Sequence, residues 1–152
     1  MSNEIETDIL RGQPFGGLMS LIKNGLRYLT KTIHSEDRFS VVKLANFLIF
    51  IVHLPCVGTR DRMLTCEDIF ENVWAWRERH PECECIIAGD FNADLNICAD
   101  DVANCVNSFI TIHGLSRCDS STVYEGQPTY ANSALNNQSC VDFILTSNPK
   151  MP

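Results

Sequence analysis

A short polar motif, Gly89-Asp90-Phe91-Asn92, ends an apolar stretch at residues 85–89. In an extended backbone, residues two apart share a face, so Asp90 and Asn92 are expected to point together out of the sheet while Phe91 anchors in the core. A carboxylate can bind a metal ion or take a proton from water, and an amide can donate to a phosphate oxygen. The motif therefore indicates phosphodiester hydrolysis. The alternative is an ordinary strand-end turn, where Asp, Asn and Gly are common.

A second carboxylate, Asp142, interrupts the apolar stretch at residues 141–146. Strand alternation places Asp142 on one face with Cys140 and Ile144, and places Val141, Phe143 and Leu145 on the other. A carboxylate among apolar neighbours is costly to leave unpaired, so we expect a partner: a histidine, a metal ion or backbone donors. The alternative is that this second face is solvated.

Basic side chains follow the apolar stretch at residues 46–53. His53 could donate a hydrogen bond to a phosphate oxygen, and the alternative is an ordinary structural histidine. Arg60 and Arg62 lie just beyond it and could contact a DNA backbone. The alternative for both arginines is a solvated loop.

Hydrophobic patterning predicts the elements that position these residues. Strands are expected at residues 16–22, 39–44, 46–53, 85–89 and 141–146, with a tight turn at Ala45-Asn46. One helix is expected to begin near Thr65 and end before Pro81, and another to run from Asp100 or Asp101 to Gly114. Hairpin strands early and alternating strands and helices late predict an α/β domain with a mixed sheet, or two sheets, covered by helices.

Length and charge narrow the class of protein. The 152 residues suit one domain, and the longest uninterrupted apolar run, residues 47–52, is far too short to span a membrane. The net charge of −7 lies entirely in residues 81–152, which contain two basic and nine acidic residues. This distribution argues against a simple basic DNA-binding module. It suits either a solvated surface or carboxylates gathered around a divalent cation.

The eight cysteines include no CxxC pair, and no secretory hydrophobic segment lies in the first 30 residues. We therefore expect reduced, mostly buried thiols, no disulfide-linked partner and no structural zinc. The same features predict an intracellular protein, nuclear or cytoplasmic and not secreted.

The order of these motifs resembles the endonuclease/exonuclease/phosphatase superfamily. More narrowly, it is similar to the endonuclease domain of non-LTR (LINE-like) retrotransposons. The resemblance spans roughly residues 11–147 and rests on Pro14-Phe15-Gly16-Gly17, His53-Leu54-Pro55, Gly89-Asp90-Phe91-Asn92, Pro128-Thr129-Tyr130 and residues 139–145. It implies a four-layer sandwich of two mixed sheets flanked by helices, here incomplete, over residues 11–152. Residues 1–10 are then an irregular N-terminal segment.

The resemblance also implies roles for individual residues in a DNA-nicking enzyme that uses Mg²⁺ or Mn²⁺. Asp90 would orient or deprotonate the attacking water and contact the metal, and Asn92 would contact the scissile phosphate and the metal shell. Asp142 would hold a catalytic imidazole. Thr129 would lie near the substrate-facing surface.

The sequence departs from the family pattern at both ends. Nothing upstream of Gly16 matches the strands that carry the family's Asn and metal-binding Glu, because Glu4 and Glu6 lie in a polar stretch. Pro152 is reached before a Ser-Asp-His strand, and His53 replaces a Tyr. These departures predict an impaired nuclease. The alternatives are a catalytically dead retroelement remnant and a phosphatase of the same superfamily.

Overall fold

The computed structural model describes residues 18–97, 99–118, 127–134 and 136–148. A 3-10 helix (Asn24–Leu29) precedes the first strand. The strands are β1 (Thr30–Ser35), β2 (Phe39–Leu44), β3 (Phe47–His53), β4 (Glu84–Asp90), β5 (Ser116–Arg117), β6 (Tyr130–Asn132), β7 (Asn137–Ser139) and β8 (Asp142–Thr146); the α-helices are α1 (Arg62–Glu78) and α2 (Asp101–Ile112). The described helices include none long and apolar enough to cross a bilayer.

Six strands form a mixed sheet in the order β1-β2-β3-β4-β8-β5, and β6 and β7 form a separate two-stranded sheet. The pair β3–β4 is parallel, whereas β1–β2, β2–β3, β4–β8 and β5–β8 are antiparallel. The predicted α/β class, with two sheets and helices, is confirmed.

The two faces of the six-stranded sheet have different surroundings. The covered face carries Val41, Phe50, Ile87 and Leu145, which are fully buried in one core cluster with the apolar sides of both helices. Two aromatic contacts lie within this core. The ring centroids of Phe70 on α1 and Phe109 on α2 are 4.5 Å apart, and those of Phe91 after β4 and Phe143 on β8 are 5.7 Å apart. The second face carries Ile49, Ile51, Ile86, Ala88 and Ile144, which are half-buried or exposed.

The apolar patterns predicted the central strands well. The hairpin of β2 and β3 is confirmed, with Ala45 in a left-handed turn (φ 51°), and the strands at residues 85–89 and 141–146 are confirmed to within one residue. The prediction of a strand at residues 16–22 is wrong for residues 18–22, which are not in a strand. Residues 16–17 lie outside the described residues. Met19 and Leu21 are 77% and 86% exposed there, because β1 takes the place beside β2 instead.

Helix α1 begins three residues earlier than predicted. The Thr65 N–H donates to the Asp61 carbonyl at 2.9 Å, so Thr65 lies inside the first turn and does not cap the helix. Helix α2 begins as predicted, because the Asp100 carboxylate accepts from the Val102 N–H at 2.8 Å. It ends before Gly114, which adopts φ 61°. Helix α2 therefore begins where the sequence predicted, whereas the capping box predicted at Thr65 for α1 is wrong.

Among the described cysteines, Cys66, Cys83, Cys85 and Cys140 are buried. Burial raises the pKa of Cys66 and Cys85 to about 12. These buried thiols are un-ionised at neutral pH and act as small apolar side chains.

At Gly89 the backbone of β3 leaves no room for a side chain on β4. The φ of Gly89 is 149°, and a Cβ atom there would lie 1.9 Å from the Val52 carbonyl oxygen. Backbone atoms cannot move aside as a flexible side chain can. The glycine therefore permits the in-register pairing of Val52 with Gly89 that aligns the ends of the two strands.

The Arg62 guanidinium joins the loop after β3 to both ends of the loop between β4 and α2, an arrangement we call the Arg62 clamp. It forms two hydrogen bonds, of 2.9 and 3.0 Å, with the Asp100 carboxylate before α2. It also donates to the Pro55 carbonyl after β3 at 3.0 Å and to the Asn92 carbonyl after β4 at 2.8 Å. The Arg62 side chain is 16% exposed, so these bonds are largely shielded from water.

Gly89→Ala should destabilise the fold by more than about 2 kcal/mol, because the new Cβ collides with the β3 backbone. Gly58→Ala is the matched control: Gly58 has φ 86° but open space around its Cβ position, so only the backbone cost of about 1 kcal/mol applies. Urea unfolding of both variants measures the difference. Equal losses for the two variants would contradict the steric argument.

Arg62→Lys should lower the free energy of unfolding by about 2 kcal/mol. An ammonium group cannot form the bidentate hydrogen bond with Asp100 and also reach the carbonyls of Pro55 and Asn92. Arg60→Lys is the control, since Arg60 is 95% exposed and its stability change should stay within about 0.5 kcal/mol. The comparison is made by thermal and urea unfolding. An Arg62→Lys variant as stable as the parent chain would contradict the stabilising role assigned to the clamp.

The clamp should also make stability depend on acid pH. Burial disfavours the charged form of Asp100, but hydrogen bonds from Arg62 and the Val102 N–H outweigh burial and lower its pKa. A lowered pKa contributes stability above the unfolded value of about 4, and this contribution is lost as pH falls through the folded value.

Asp100→Asn keeps a capping acceptor but removes the charge. The variant should be less stable than the parent chain at pH 7, and the gap should close as pH falls below about 4. Urea midpoints from pH 7 to pH 2.5 test this. A gap that persists unchanged at pH 2.5 would contradict the assignment.

Candidate functional site

Sheet register brings three polar side chains into one row. His53 at the end of β3 pairs with Asp90 at the end of β4, and Asp90 pairs with Asp142 at the start of β8. Neighbouring positions in such a row lie about 5 Å apart. The adjacent residues Val52 and Phe143 are buried on the covered face, so all three row members lie on the second face. We call His53, Asp90 and Asp142 the strand-end row.

Asp90 lies at the centre of the row. Its Oδ1 accepts a hydrogen bond from the Asn92 N–H at 2.8 Å. Its backbone carbonyl accepts from the Leu54 N–H at 2.9 Å, which fixes the strand end against the loop after β3. Among the described residues, Oδ2 has no hydrogen-bond partner. The carboxylate is therefore held in place by one oxygen and can offer the other to a ligand.

Asn92 differs from its predicted geometry. The strand ends at Asp90 and Asn92 adopts φ 45°, so the expected sharing of a face by residues two apart is wrong at this position. The Asn92 amide donates to the Leu54 carbonyl at 2.9 Å. Asn is among the residues that tolerate this left-handed conformation. The anchoring role predicted for Phe91 is confirmed, since its side chain is fully buried.

Asp142 shows the predicted alternation but not the predicted partner. Phe143 and Leu145 are buried, whereas Asp142 and Ile144 are exposed, so the solvated-face alternative describes this strand. In the part of the chain that the structure describes, the Asp142 carboxylate has no hydrogen bond or ion pair. Its nearest polar neighbour across the sheet is Asp90.

Thr129 anchors the start of β8. Its Oγ1 accepts from the Val141 N–H at 3.0 Å and from the Asp142 N–H at 3.1 Å. Its own N–H donates to the Ser139 carbonyl at 3.1 Å. Thr129 is exposed and lies beside the strand-end row, and its hydroxyl fixes the backbone that carries Asp142. Its predicted contact with substrate stays a prediction.

The two arginines beyond β3 have different roles. Arg60 is almost fully exposed and forms an ion pair with Asp61 at 3.4 Å, so it is accessible to a ligand. Arg62 is not, and both interpretations offered for it, a DNA contact and a solvated loop, are wrong because its guanidinium is engaged in the clamp. His53 is half-buried, and its carbonyl accepts from Arg38 Nη1 at 3.4 Å.

Two adjacent carboxylates form a donor set that suits a hard divalent cation. Mg²⁺ is commonly bound by one or two carboxylates while it keeps several waters, and Asp90 and Asp142 fit that pattern. The described residues contain no group of three or more His, Cys, Asp or Glu side chains that could hold a metal ion. The pairing of Asp90 with Asn92 as metal ligands stays a prediction.

Sequence reasoning missed the adjacency of Asp90 and Asp142 and the role of Asp94. Asp94 Oδ2 accepts from the Cys140 N–H at 3.1 Å and so connects the loop after β4 to the segment before β8. The only sequence signal was that Asp90 follows one apolar stretch and that Asp142 lies near the start of another. The antiparallel register that brings them together is a tertiary property.

No protein-family model and no curated protein sequence matches the chain. Solved structures do match. The human Nocturnin catalytic domain, with bound sulfate, is 16% identical with a TM-score of 0.53, over 80% of this chain and 50% of its own. NExo from Neisseria, a 3′ phosphatase bound to product DNA hairpin, is 16% identical with a TM-score of 0.54, over 80% of this chain and 58% of its own.

The chain thus spans between half and three fifths of the length of these two proteins. Both belong to the endonuclease/exonuclease/phosphatase family. The mixed six-stranded sheet, the second sheet and the helices of this chain have the fold of that family.

Proposed function

We propose that this chain carries a divalent-metal-dependent phosphodiesterase site that nicks DNA, in a domain of retrotransposon origin. The observation that carries the proposal is the strand-end row, in which His53, Asp90 and Asp142 lie side by side on one face. The retrotransposon assignment rests on the resemblance of Gly89-Asp90-Phe91-Asn92 and residues 139–145 to those endonucleases. Binding of a DNA hairpin by NExo supports a nucleic-acid substrate.

The charge pattern of the row supports a bound cation. Two like charges in adjacent register repel each other, and a divalent ion between Asp90 and Asp142 relieves that repulsion. When bound, Mg²⁺ or Mn²⁺ supplies charge neutralisation for the phosphate and the leaving oxygen. The acidic half of the chain then tolerates a polyanionic substrate.

The side chains around the row have complementary roles in this proposal. Asp90 would hold the cation and orient the attacking water through Oδ2, since Oδ1 is occupied by the Asn92 N–H. His53 donates to a phosphate oxygen from the next strand. Asn92 contacts the scissile phosphate, and Arg60 contacts the DNA backbone beyond the row. Thr129 maintains the position of Asp142.

A second candidate function is binding of metal and phosphate without turnover. In the strand-end row Asp142 and His53 lie on opposite sides of Asp90, so within the described residues Asp142 does not orient an imidazole. A site with two carboxylates and no oriented histidine can hold a cation and a phosphate. This observation favours the reading of the chain as a catalytically silent retroelement remnant.

Asp90→Asn should abolish Mg²⁺-dependent nicking of supercoiled plasmid, with a loss of at least about 100-fold, because the neutral amide lacks the charge that would hold the cation and orient the attacking water. Asp68→Asn is the control, since Asp68 lies on α1 away from the row and should retain parental activity. Titration with Mn²⁺, followed by water proton relaxation, measures metal binding independently. Asp90→Asn and Asp142→Asn should each weaken that binding about tenfold.

The combined results separate the candidates. Nicking that survives Asp90→Asn would overturn the nuclease assignment. Mn²⁺ binding that requires Asp90 and Asp142, without nicking by the parent chain, would establish the silent site instead. Hydrolysis of soluble phosphomonoesters without nicking would identify a phosphatase. An absence of Mn²⁺ binding would refute both candidates that use the row as a metal site.

A further inference from the structure

An apolar groove lies between α1 and α2, on the opposite side of the sheet from the strand-end row. Its volume is about 570 Å³. Its apolar floor is formed by Phe70, Trp74 and Phe109, and Ile112 at its edge is 75% exposed. We call this feature the α1–α2 groove. It shares no residue with the row, so its role is separate from the proposed hydrolysis.

The groove follows α1 along nearly its whole length. The lining positions on α1 recur at helical spacing from Met63 to Glu78, which is a single face of the helix. At 1.5 Å per residue this face is about 22 Å long. An elongated apolar groove between two helices is the shape that receives a third helix, with anchors spaced at every third or fourth residue.

The rim of the groove is acidic. Along its α1 side lie Glu67, Glu71 and Glu78, and the described residues that line it include no lysine or arginine. His113 stacks on Trp74 with ring centroids 3.6 Å apart. Burial lowers the pKa of His113, although Glu78 opposes this, so the imidazole adds no positive charge at neutral pH. A partner with basic flanks is therefore complementary to the groove.

The same charges argue against a second copy as the occupant. A two-fold interface would place the same patch of both copies in contact, so the three glutamates of one copy would meet those of the other. The chain also carries a net charge of −7. A nucleic acid is excluded for the same reason, because it is itself a polyanion.

We propose that the α1–α2 groove docks a basic amphipathic helix of a partner protein, with apolar anchors on Trp74 and Phe109 and Lys or Arg side chains beside Glu67 and Glu71.

Trp74 provides a direct reporter of occupancy. The chain contains two tryptophans, and Trp76 lies outside the groove against Arg79, with the guanidinium 5.1 Å from its ring centroid. In a Trp76→Phe background, the fluorescence of Trp74 alone is followed. The probe is a synthetic Leu/Lys peptide of about 16 residues with amphipathic helical spacing. A matched peptide carries Glu in place of Lys.

The Leu/Lys peptide should bind saturably and shift the Trp74 emission to the blue, because the indole loses contact with water. Glu71→Lys should weaken binding about tenfold, and Ile112→Asp should weaken it similarly by placing a charge in the apolar contact. Asp68→Lys is the control. It makes the same change in net charge on α1, but Asp68 lies outside the groove, so affinity should change less than about twofold.

Three outcomes would overturn the proposal: no saturable shift of Trp74 emission, equal binding of the Glu-containing peptide, or equal weakening by Asp68→Lys and Glu71→Lys. Circular dichroism of each variant verifies that it is folded. Asp90→Asn should leave peptide binding unchanged, so failure of the docking proposal and failure of the proposed hydrolysis are distinguished.

Discussion

The Arg62 guanidinium is the interaction on which the arrangement of the strand ends depends. Its hydrogen bonds reach the loop after β3 and both ends of the loop that joins β4 to α2. A guanidinium suits this position because its donors are fixed in one plane and remain charged at any accessible pH. Its bond to the Asn92 carbonyl fixes the backbone just after Asp90, the central residue of the strand-end row.

Local sequence signals predicted those parts of the fold that local energetics decide. Periodicity and turn chemistry predicted the hairpin of β2 and β3, the apolar strands β4 and β8, and the start of α2. β1 was not predicted, because its sequence is polar; Thr30, Ile33 and His34 are half-buried, and the other three residues are exposed. Its place in the sheet comes from pairing with β2 and not from its own composition.

The candidate site was predicted in its residues but not in its geometry. The sequence indicated His53, Asp90, Asn92 and Asp142 as the chemically capable side chains. It could not show that Asn92 turns into the left-handed region, because this depends on the contact with Leu54. Nor could it show that Arg62 is withdrawn from solvent by groups distant in sequence. Register across non-adjacent segments and the partners of a buried charge are tertiary facts, and no short window of sequence contains them.

The strand-end row lies where parallel and antiparallel pairing meet, with Asp90 on the strand common to both. Asp90 and Asp142 come from segments that run in opposite directions and are joined by a long connection that includes α2. Their separation is set by the hydrogen-bond ladder and not by the length of that connection. Insertions or deletions between α2 and β6 can therefore change the surface around the row while the distance between its two carboxylates stays constant.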